Sequence, residues 1–262
     1  MPKASNIPIA KTGVNIPPGI RSISIVLPAY NEEDNIMETG RRAVNICNQL
    51  PVDDYEILII NDGSSDKTGE LVRELITKFD NISLIEHDKN IGYGGSLKSG
   101  LIAAKSDIVF FTDSDLQFDF GELPEFIEKL HDCDMVIGYR AKRPENIIRR
   151  LNAFGWGLLI KILFGLKVRD IDCAFKIFRH KVLHSISMDS IGAFINSEIL
   201  IRARDKGFIV KESPVSHFPR PAGKSSGAKL KTIIKAFKEL FSLYGELKQN
   251  RCQPNQNRAF SS

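Results

Sequence analysis

The chain has 262 residues, with 36 Lys and Arg against 32 Asp and Glu, a formal net charge of +4, and 42% hydrophobic and 26% charged residues. With 19 glycines, 12 prolines and 4 cysteines, this composition excludes a collagen-like, disordered or disulfide-framework protein. The length suits one sizeable α/β core.

Residues 1–21 contain Pro2, Pro8, Pro17 and Pro18 but no continuous apolar run, so they read as a flexible N-terminal arm rather than a signal peptide. Short β-branched apolar runs at 22–28 (SISIVLP), 55–60 (YEILII) and 82–85 (ISLI) predict buried strands. Between them, 32–50 and 66–79 place apolar residues at helical spacing. A helix at 94–105, a strand at 107–112, a helix at 122–131 and a strand at 134–138 follow. Strands alternating with helices predict a mainly parallel sheet with right-handed crossovers.

After Tyr139 the pattern changes to a basic loop, an apolar helix at 147–166, a strand at 174–178, a helix at 194–206 and a strand at 208–212. Pro214, Pro219, Pro221 and Gly223 mark an extended loop. Residues 228–247 form a basic amphipathic helix, with Ile233, Ile234, Phe237, Leu240, Phe241 and Tyr244 on one side. Residues 250–262 read as a disordered polar tail. From Arg220 onward the chain carries +7, against −3 for the rest. Cys47, Cys133, Cys173 and Cys252 have no metal-site or disulfide-framework spacing, which predicts a reduced, cytosolic setting. The most apolar stretch, 156–166, is interrupted by Lys161 and is shorter than the roughly 20 residues a membrane span needs, so no transmembrane helix is predicted.

In a parallel α/β sheet, ligands bind beyond the carboxyl ends of the strands. Four polar segments follow strands here: 28–32 (PAYNE), 61–66 (NDGSSD), 90–95 (NIGYGG) and 113–117 (DSDLQ). Asp113 and Asp115 stand at i and i+2 after an apolar strand, a pattern that can hold a divalent cation shared with a diphosphate. An isolated D-x-D reads first as a solvated loop with a helix N-cap, and it is the company of the other segments that changes the weighting. Asp62 at a strand end can accept the imide N–H of a nucleobase, while Ser64, Ser65 or Asp66 can cap the next helix. The glycine loop lacks the full dinucleotide fingerprint and reads first as a structural turn. No Walker A sequence is present.

Taken in order, L-P-A-Y-N-E at 27–32, N-D-G-S-x-D-x-T at 61–68, the glycine loop, D-x-D-L-Q at 113–117 and G-x-R-x-x-R at 138–143 resemble family 2 glycosyltransferases of GT-A fold. The match is nearest the polyprenyl-phosphate branch typified by dolichyl-phosphate mannose synthase and its bacterial relatives. The resemblance spans 22–226, with 22–138 as the nucleotide-sugar half and 139–226 as the acceptor half, followed by the amphipathic helix at 227–249. It implies that Pro28, Tyr30 and Glu32 border the nucleotide, that Asp62 reads the base, and that Ser114 and Gln117 lie at the donor site. It implies that Asp113 and Asp115 hold Mg²⁺ or Mn²⁺, and that Arg140, Arg143 and Arg220 bind phosphates. At 170–178 (DIDCAFKIF) the chain departs from the family's D-x-x-x-G-F-R, with Ala174 and Lys176 in place of Gly and Arg.

The reaction implied is an inverting, metal-dependent transfer of one sugar from a UDP- or GDP-linked donor to a polyprenyl phosphate. A phosphate acceptor is already dianionic near neutrality and needs cations more than a base. Arg140, Lys142, Arg143, Lys176, Arg220 and Lys224 are the cations available. A sugar or lipid hydroxyl acceptor instead requires a base, and Glu198 sits where hydroxyl-using relatives carry one. Glu198 is also placed to pair with Arg202 at i+4. His87, His131, His180 and His184 read as surface or satisfied histidines; His217, leading into the Arg220 loop, is a candidate for touching substrate. The expected setting is peripheral, on the cytoplasmic face of a membrane, through the 154–166 and 228–247 helices. No nucleic-acid partner is expected, and a homo-oligomer or integral membrane partner is compatible with this arrangement.

Overall fold

The computed structural model describes residues 13–141, 147–222 and 230–252. Seven strands build one sheet: β1 (Ser22–Ala29), β2 (Asp54–Asn61), β3 (Ile82–Glu86), β4 (Ile108–Thr112), β5 (Met135–Arg140), β6 (Phe175–Arg179) and β7 (Val210–Val215), in the order β3-β2-β1-β4-β6-β5-β7. β1 pairs parallel with β2 and β4, β2 with β3, and β5 with β7. β6 alone is reversed, antiparallel to both β4 and β5. In that register Thr112 lies opposite Phe175. The reversed strand therefore brings its beginning, not its end, to the edge where β4 delivers Asp113.

The central strands β1, β4 and β6 are buried almost throughout because helices cover both faces, which is why β1 and β4 read as continuous apolar runs. The helices are α1 (Ile36–Gln49), α2 (Thr68–Lys78), α3 (Tyr93–Ala103), α4 (Leu123–Lys129), α5 (Ile147–Phe164), α6 (His180–Ser185), α7 (Ile195–Asp205) and α8 (Leu230–Cys252). Phe175 packs edge-on against Phe110 and Phe126, with ring centroids 4.6 and 4.8 Å apart, and this cluster joins β4 and β6 to α4.

Four departures from the sequence reading have physical causes. Helix α1 begins at Ile36 rather than 32, because Asn31 takes a left-handed conformation (φ 56°) and the Glu32 N–H donates to Thr68 Oγ1 at 2.8 Å. β7 extends through Pro214, which the ladder tolerates because β7 is an edge strand. Helix α6 is too short for its periodicity to register. The expected polar tail begins later than 250, since α8 continues to Cys252, and 253–262 lie outside the described residues.

Of the expected N-terminal arm, 1–12 also lie outside the described residues, but 13–21 run along the core. Ile20 is buried, Val14 and Ile16 pack beside it, and the Asn15 N–H donates to Glu128 Oε1 at 3.1 Å. Helix α8 is part of the same core through Leu240, Leu243 and Leu247. No helix among the described residues is long and apolar enough to cross a membrane.

Candidate active site

The loops after β1 and β2 are locked together before they present anything to a ligand. Asn31 Oδ1 accepts the Ser65 N–H at 2.9 Å, and the Asn31 N–H donates to Ser64 Oγ at 3.0 Å. Ser114 Oγ donates to the Pro28 carbonyl at 2.8 Å, tying the β4 loop to the same place. Tyr30 stays exposed at the rim. Asp62 is 2% exposed. Its Oδ1 pairs with His87 Nδ1 at 2.8 Å and accepts the Ile91 N–H at 3.0 Å, while Oδ2 accepts the Gly92 N–H at 3.0 Å. Two of about four acceptor positions on the carboxylate are thus spent on the glycine loop and a third on His87, leaving one on Oδ2. His87 reaches Ser99 Oγ with its other nitrogen at 3.0 Å, so it is a satisfied histidine.

The glycines of 92–95 serve close backbone packing rather than a ligand cradle. A Cβ on Gly94 would stand 2.4 Å from the Gly192 carbonyl oxygen, and one on Gly92 (φ 98°) 2.6 Å from that of Ile191. Only glycine allows the loop to lie on the 191–192 backbone.

Past β4, Leu116 takes a left-handed conformation (φ 60°), which turns the chain sharply after Asp115. The Gln117 N–H donates to Asp115 Oδ1 at 3.2 Å, and Gln117 Nε2 donates to the Phe218 carbonyl at 3.0 Å. This holds the 216–222 loop across the carboxylates. Arg220 Nη2 then bonds both oxygens of Glu32 at 2.5 Å, and its Nη1 stands 3.8 Å from Asp115 Oδ2. Glu32, Asp113 and Asp115 therefore share one small volume. Burial and the neighbouring Asp115 push the Asp113 carboxyl up to about 7, against the pull of Tyr93 and Lys176. Burial also raises Asp115, opposed by the Gln117 N–H, Arg220 and His217, and raises Glu32, opposed by Asn35 and Arg220. Such crowding of like charge is what a divalent cation relieves. No group of three or more His, Cys, Asp or Glu side chains at ligand spacing occurs among the described residues. Two carboxylates completed by substrate phosphates is nonetheless the usual Mg²⁺ arrangement, so Asp113 and Asp115 fit the group.

Other expected residues are placed differently. Arg140 forms a two-pronged pair with Asp170, Nε to Oδ2 at 2.8 Å and Nη2 to Oδ1 at 3.0 Å. Arg143, Lys142 and Lys224 lie outside the described residues. Lys176, expected among the phosphate-binding cations, is instead fully buried. Its ammonium donates to the carbonyls of Ile171 and Cys173 and to Asn196 Oδ1, the first at 3.0 Å and the last at 3.1 Å. Lys176 holds the turn before β6; it does not face a ligand.

Glu198 is 1% exposed, and its carboxylate accepts from the Asp189 and Ser190 N–H groups and from Arg202 Nε at 2.8 to 3.1 Å. With its lone pairs filled and no path to solvent, it is not placed to act as a general base. Glu198→Gln is accordingly expected to lower the melting temperature by several degrees, the equivalent of about 1–3 kcal/mol for a disturbed charged hydrogen bond, and to leave kcat within about threefold. A complete loss of turnover in a folded Glu198→Gln protein would overturn this assignment.

Sequence reasoning does not single out Tyr93 or Asn196. The Tyr93 hydroxyl is sealed from solvent beside Asp113 and Asn196, close enough for both to act on its proton yet outside hydrogen-bond geometry. The available signal is its position inside the glycine loop. Asn196 stands in the same N-S-E segment as Glu198. His217 meets the Phe118 ring edge-on at 5.2 Å and lies near enough to Asp115 to favour its charge.

The family model described as Glycosyl transferase family 2 matches residues 24–187. Glycosyltransferase AglD of Haloferax volcanii is 31% identical over 209 residues, covering 76% of this chain and 33% of its own length. The undecaprenyl-phosphate 4-deoxy-4-formamido-L-arabinose transferase of Pseudomonas fluorescens is 29% identical over 217 residues, covering 82% of this chain and 62% of that protein. The chain thus spans between a third and two thirds of these relatives' lengths. Crystal structures of glucosyl-3-phosphoglycerate synthase from Mycobacterium tuberculosis, one with uridine-diphosphate and one with Mn²⁺, UDP-glucose and phosphoglyceric acid, superpose with TM-scores of 0.65 and 0.64. Both are 20% identical, with 90% of this chain and 82% of the other covered. That likeness shows the fold to be GT-A.

Proposed function

Because the chain belongs to glycosyl transferase family 2 and is a glycosyltransferase, we propose that it moves one sugar from a UDP- or GDP-linked donor to a polyprenyl phosphate, with inversion at the anomeric carbon. The observation that carries the acceptor choice is the contrast between Glu198 and Arg220. The carboxylate that a hydroxyl acceptor would need is sealed by Arg202 and two backbone N–H groups. The Arg220 guanidinium, in contrast, stands at the carboxylate cluster where a phosphate would arrive. The Pseudomonas relative, named for transfer to undecaprenyl phosphate, supports the same reading.

Asp113 and Asp115 hold Mg²⁺ or Mn²⁺ in this proposal. The metal, when bound, supplies Lewis-acid stabilisation of the leaving diphosphate. The chain's own residues do the rest. Pro28 and Tyr30 border the nucleotide, and Asp62 offers its remaining Oδ2 position to the base imide N–H. Ser114 fixes the β4 loop through Pro28, and Gln117 holds the 216–222 loop over the donor. Arg220 exchanges Glu32 for a phosphate oxygen. An acceptor entering opposite the diphosphate gives inversion in a single displacement, through an oxocarbenium-like state.

The test is release of nucleotide diphosphate by the purified protein with Mg²⁺ or Mn²⁺, across UDP- and GDP-sugars, with and without polyprenyl phosphate. Release that depends on the lipid phosphate is expected. Release with hydroxyl acceptors alone would replace this reading.

The same proposal places the protein peripherally at the cytoplasmic face of a membrane. Leu158 and Ile162 on α5, and Ile234, Phe237 and Phe241 on α8, are exposed, with Lys161 and Lys238 beside them. The two helices lie side by side through Trp156 against Phe237 at 5.4 Å and Phe164 against Tyr244 at 5.8 Å. Apolar side chains flanked by lysines suit an anionic lipid surface. The Ile162→Ser, Phe241→Ser double variant is expected to lose co-sedimentation with anionic vesicles; unchanged binding would exclude this face.

A further inference from the structure

Helix α8 hydrogen-bonds to the backbone behind the candidate donor site through Glu239. Glu239 Oε1 accepts the Ile191 N–H at 3.2 Å, and the Ile191 carbonyl in turn accepts the Gly95 N–H at 3.3 Å. The second oxygen, Oε2, is buried without a hydrogen-bond partner, and it would stand 3.1 Å from a Cβ on Gly192. Burying half a carboxylate unpaired is unfavourable, so core packing alone does not account for this residue. What the contact achieves lies one step further on. The 191–192 backbone presses on Gly92 and Gly94, and Asp62 holds the same loop through the Ile91 and Gly92 N–H groups. The loop leads directly into Tyr93, whose hydroxyl lies beside Asp113.

We propose that Glu239 is a positioning residue: through the Ile191–Gly192 backbone it sets the glycine loop and the start of α3 against the carboxylates, so that helix α8 controls donor affinity. The proposal rests on the reading of Asp62, Asp113 and the glycine loop as the donor site. The other acidic side chain of α8 with a described contact, Glu246, bonds Arg202 at 2.9 Å, and none of its hydrogen bonds reaches the 191–192 backbone directly. It therefore separates positioning of the loop from mere attachment of the helix.

The experiment measures UDP and GDP affinity of the full chain with Mn²⁺ by calorimetry, which needs no acceptor. Glu239→Ala is expected to weaken nucleotide diphosphate binding about tenfold, the scale of one lost charged hydrogen bond. Glu239→Gln, whose amide oxygen still accepts the Ile191 N–H, is expected to stay within about twofold of the parent. Glu246→Ala is expected to lower the melting temperature by about 3 °C while leaving the affinity unchanged. Parent-like affinity in Glu239→Ala, or an equal loss in Glu246→Ala, would overturn the positioning role while leaving the donor site standing. Failure of the parent chain to bind either nucleotide would overturn the donor reading and this proposal with it.

Discussion

Asp115→Asn is expected to reduce turnover about a thousandfold, the scale of losing one aligned electrostatic stabiliser, with every donor, while the metal-free protein becomes more stable. Both effects have one origin. Asp113, Asp115 and Glu32 converge with Arg220 as the cation bonded among them, and burial raises all three carboxyls above their ordinary range. A carboxyl raised in the folded state stabilises the fold while it holds its proton. For Asp113 that contribution is complete below the unfolded carboxylate range, about 4, and is lost as pH rises through about 7. The metal-free parent should therefore melt lower at pH 8 than at pH 5.5, and Asp115→Asn should narrow the gap by removing one like charge. Thermal melts with and without Mn²⁺ check the stability effects, and donor turnover checks the loss of activity. Full metal-dependent turnover in Asp115→Asn would remove Asp115 from the site. A stability gain accompanied by lost activity is the expected mark of a site strained for function.

Lys176→Met is expected to destabilise the protein by about 3–5 kcal/mol, the range for removing one partner from a buried charged network, and to lower activity through the fold rather than by contact. The side chain is fully buried, with the Phe111 ring 5.4 Å from its ammonium. Burial pulls its pKa down, while Cys173, Asp172, Asp170 and Asp113 pull it back up. Methionine keeps the length and loses the donors, so the carbonyls of Ile171 and Cys173 and the Asn196 side chain all lose a partner. Urea denaturation measures the loss. A change below about 1 kcal/mol would mean that other contacts hold the turn, since each unsatisfied buried group alone costs about that much or more. Asn196 is the link to function, because it neighbours the Tyr93 hydroxyl beside Asp113.

Much of the candidate donor site was legible in the sequence. β1, β2 and β4 announce themselves as β-branched apolar runs because both faces of the sheet are covered, and Asp62, Asp113 and Asp115 stand directly after them in the chain. A strand delivers its last residue to the sheet edge whatever surrounds it, so placement of those three carboxylates is a local matter. The second half of the chain was less readable. Lys176 and Glu198 look like a phosphate-binding cation and a base by position and residue type. Burial and saturated hydrogen bonds make one a clamp on a turn and the other an anchor for the 189–190 backbone.

The sequence by itself determined the family, the parallel β1–β4 half of the sheet, the order of the motifs and the amphipathic character of α8, because each depends on residue types at short, regular spacing. Tertiary structure decided the reversal of β6, which brings Lys176 and the Asp170 turn to Asp113. It decided the closing of the 216–222 loop, in which Arg220 meets Glu32 across 188 positions of chain, and the reach of Glu239 to Ile191 across 48. The physical reason is the same in each case. Periodicity records how much of a residue is buried, but the partner that fills a buried lone pair is chosen by distant segments arriving at the same place.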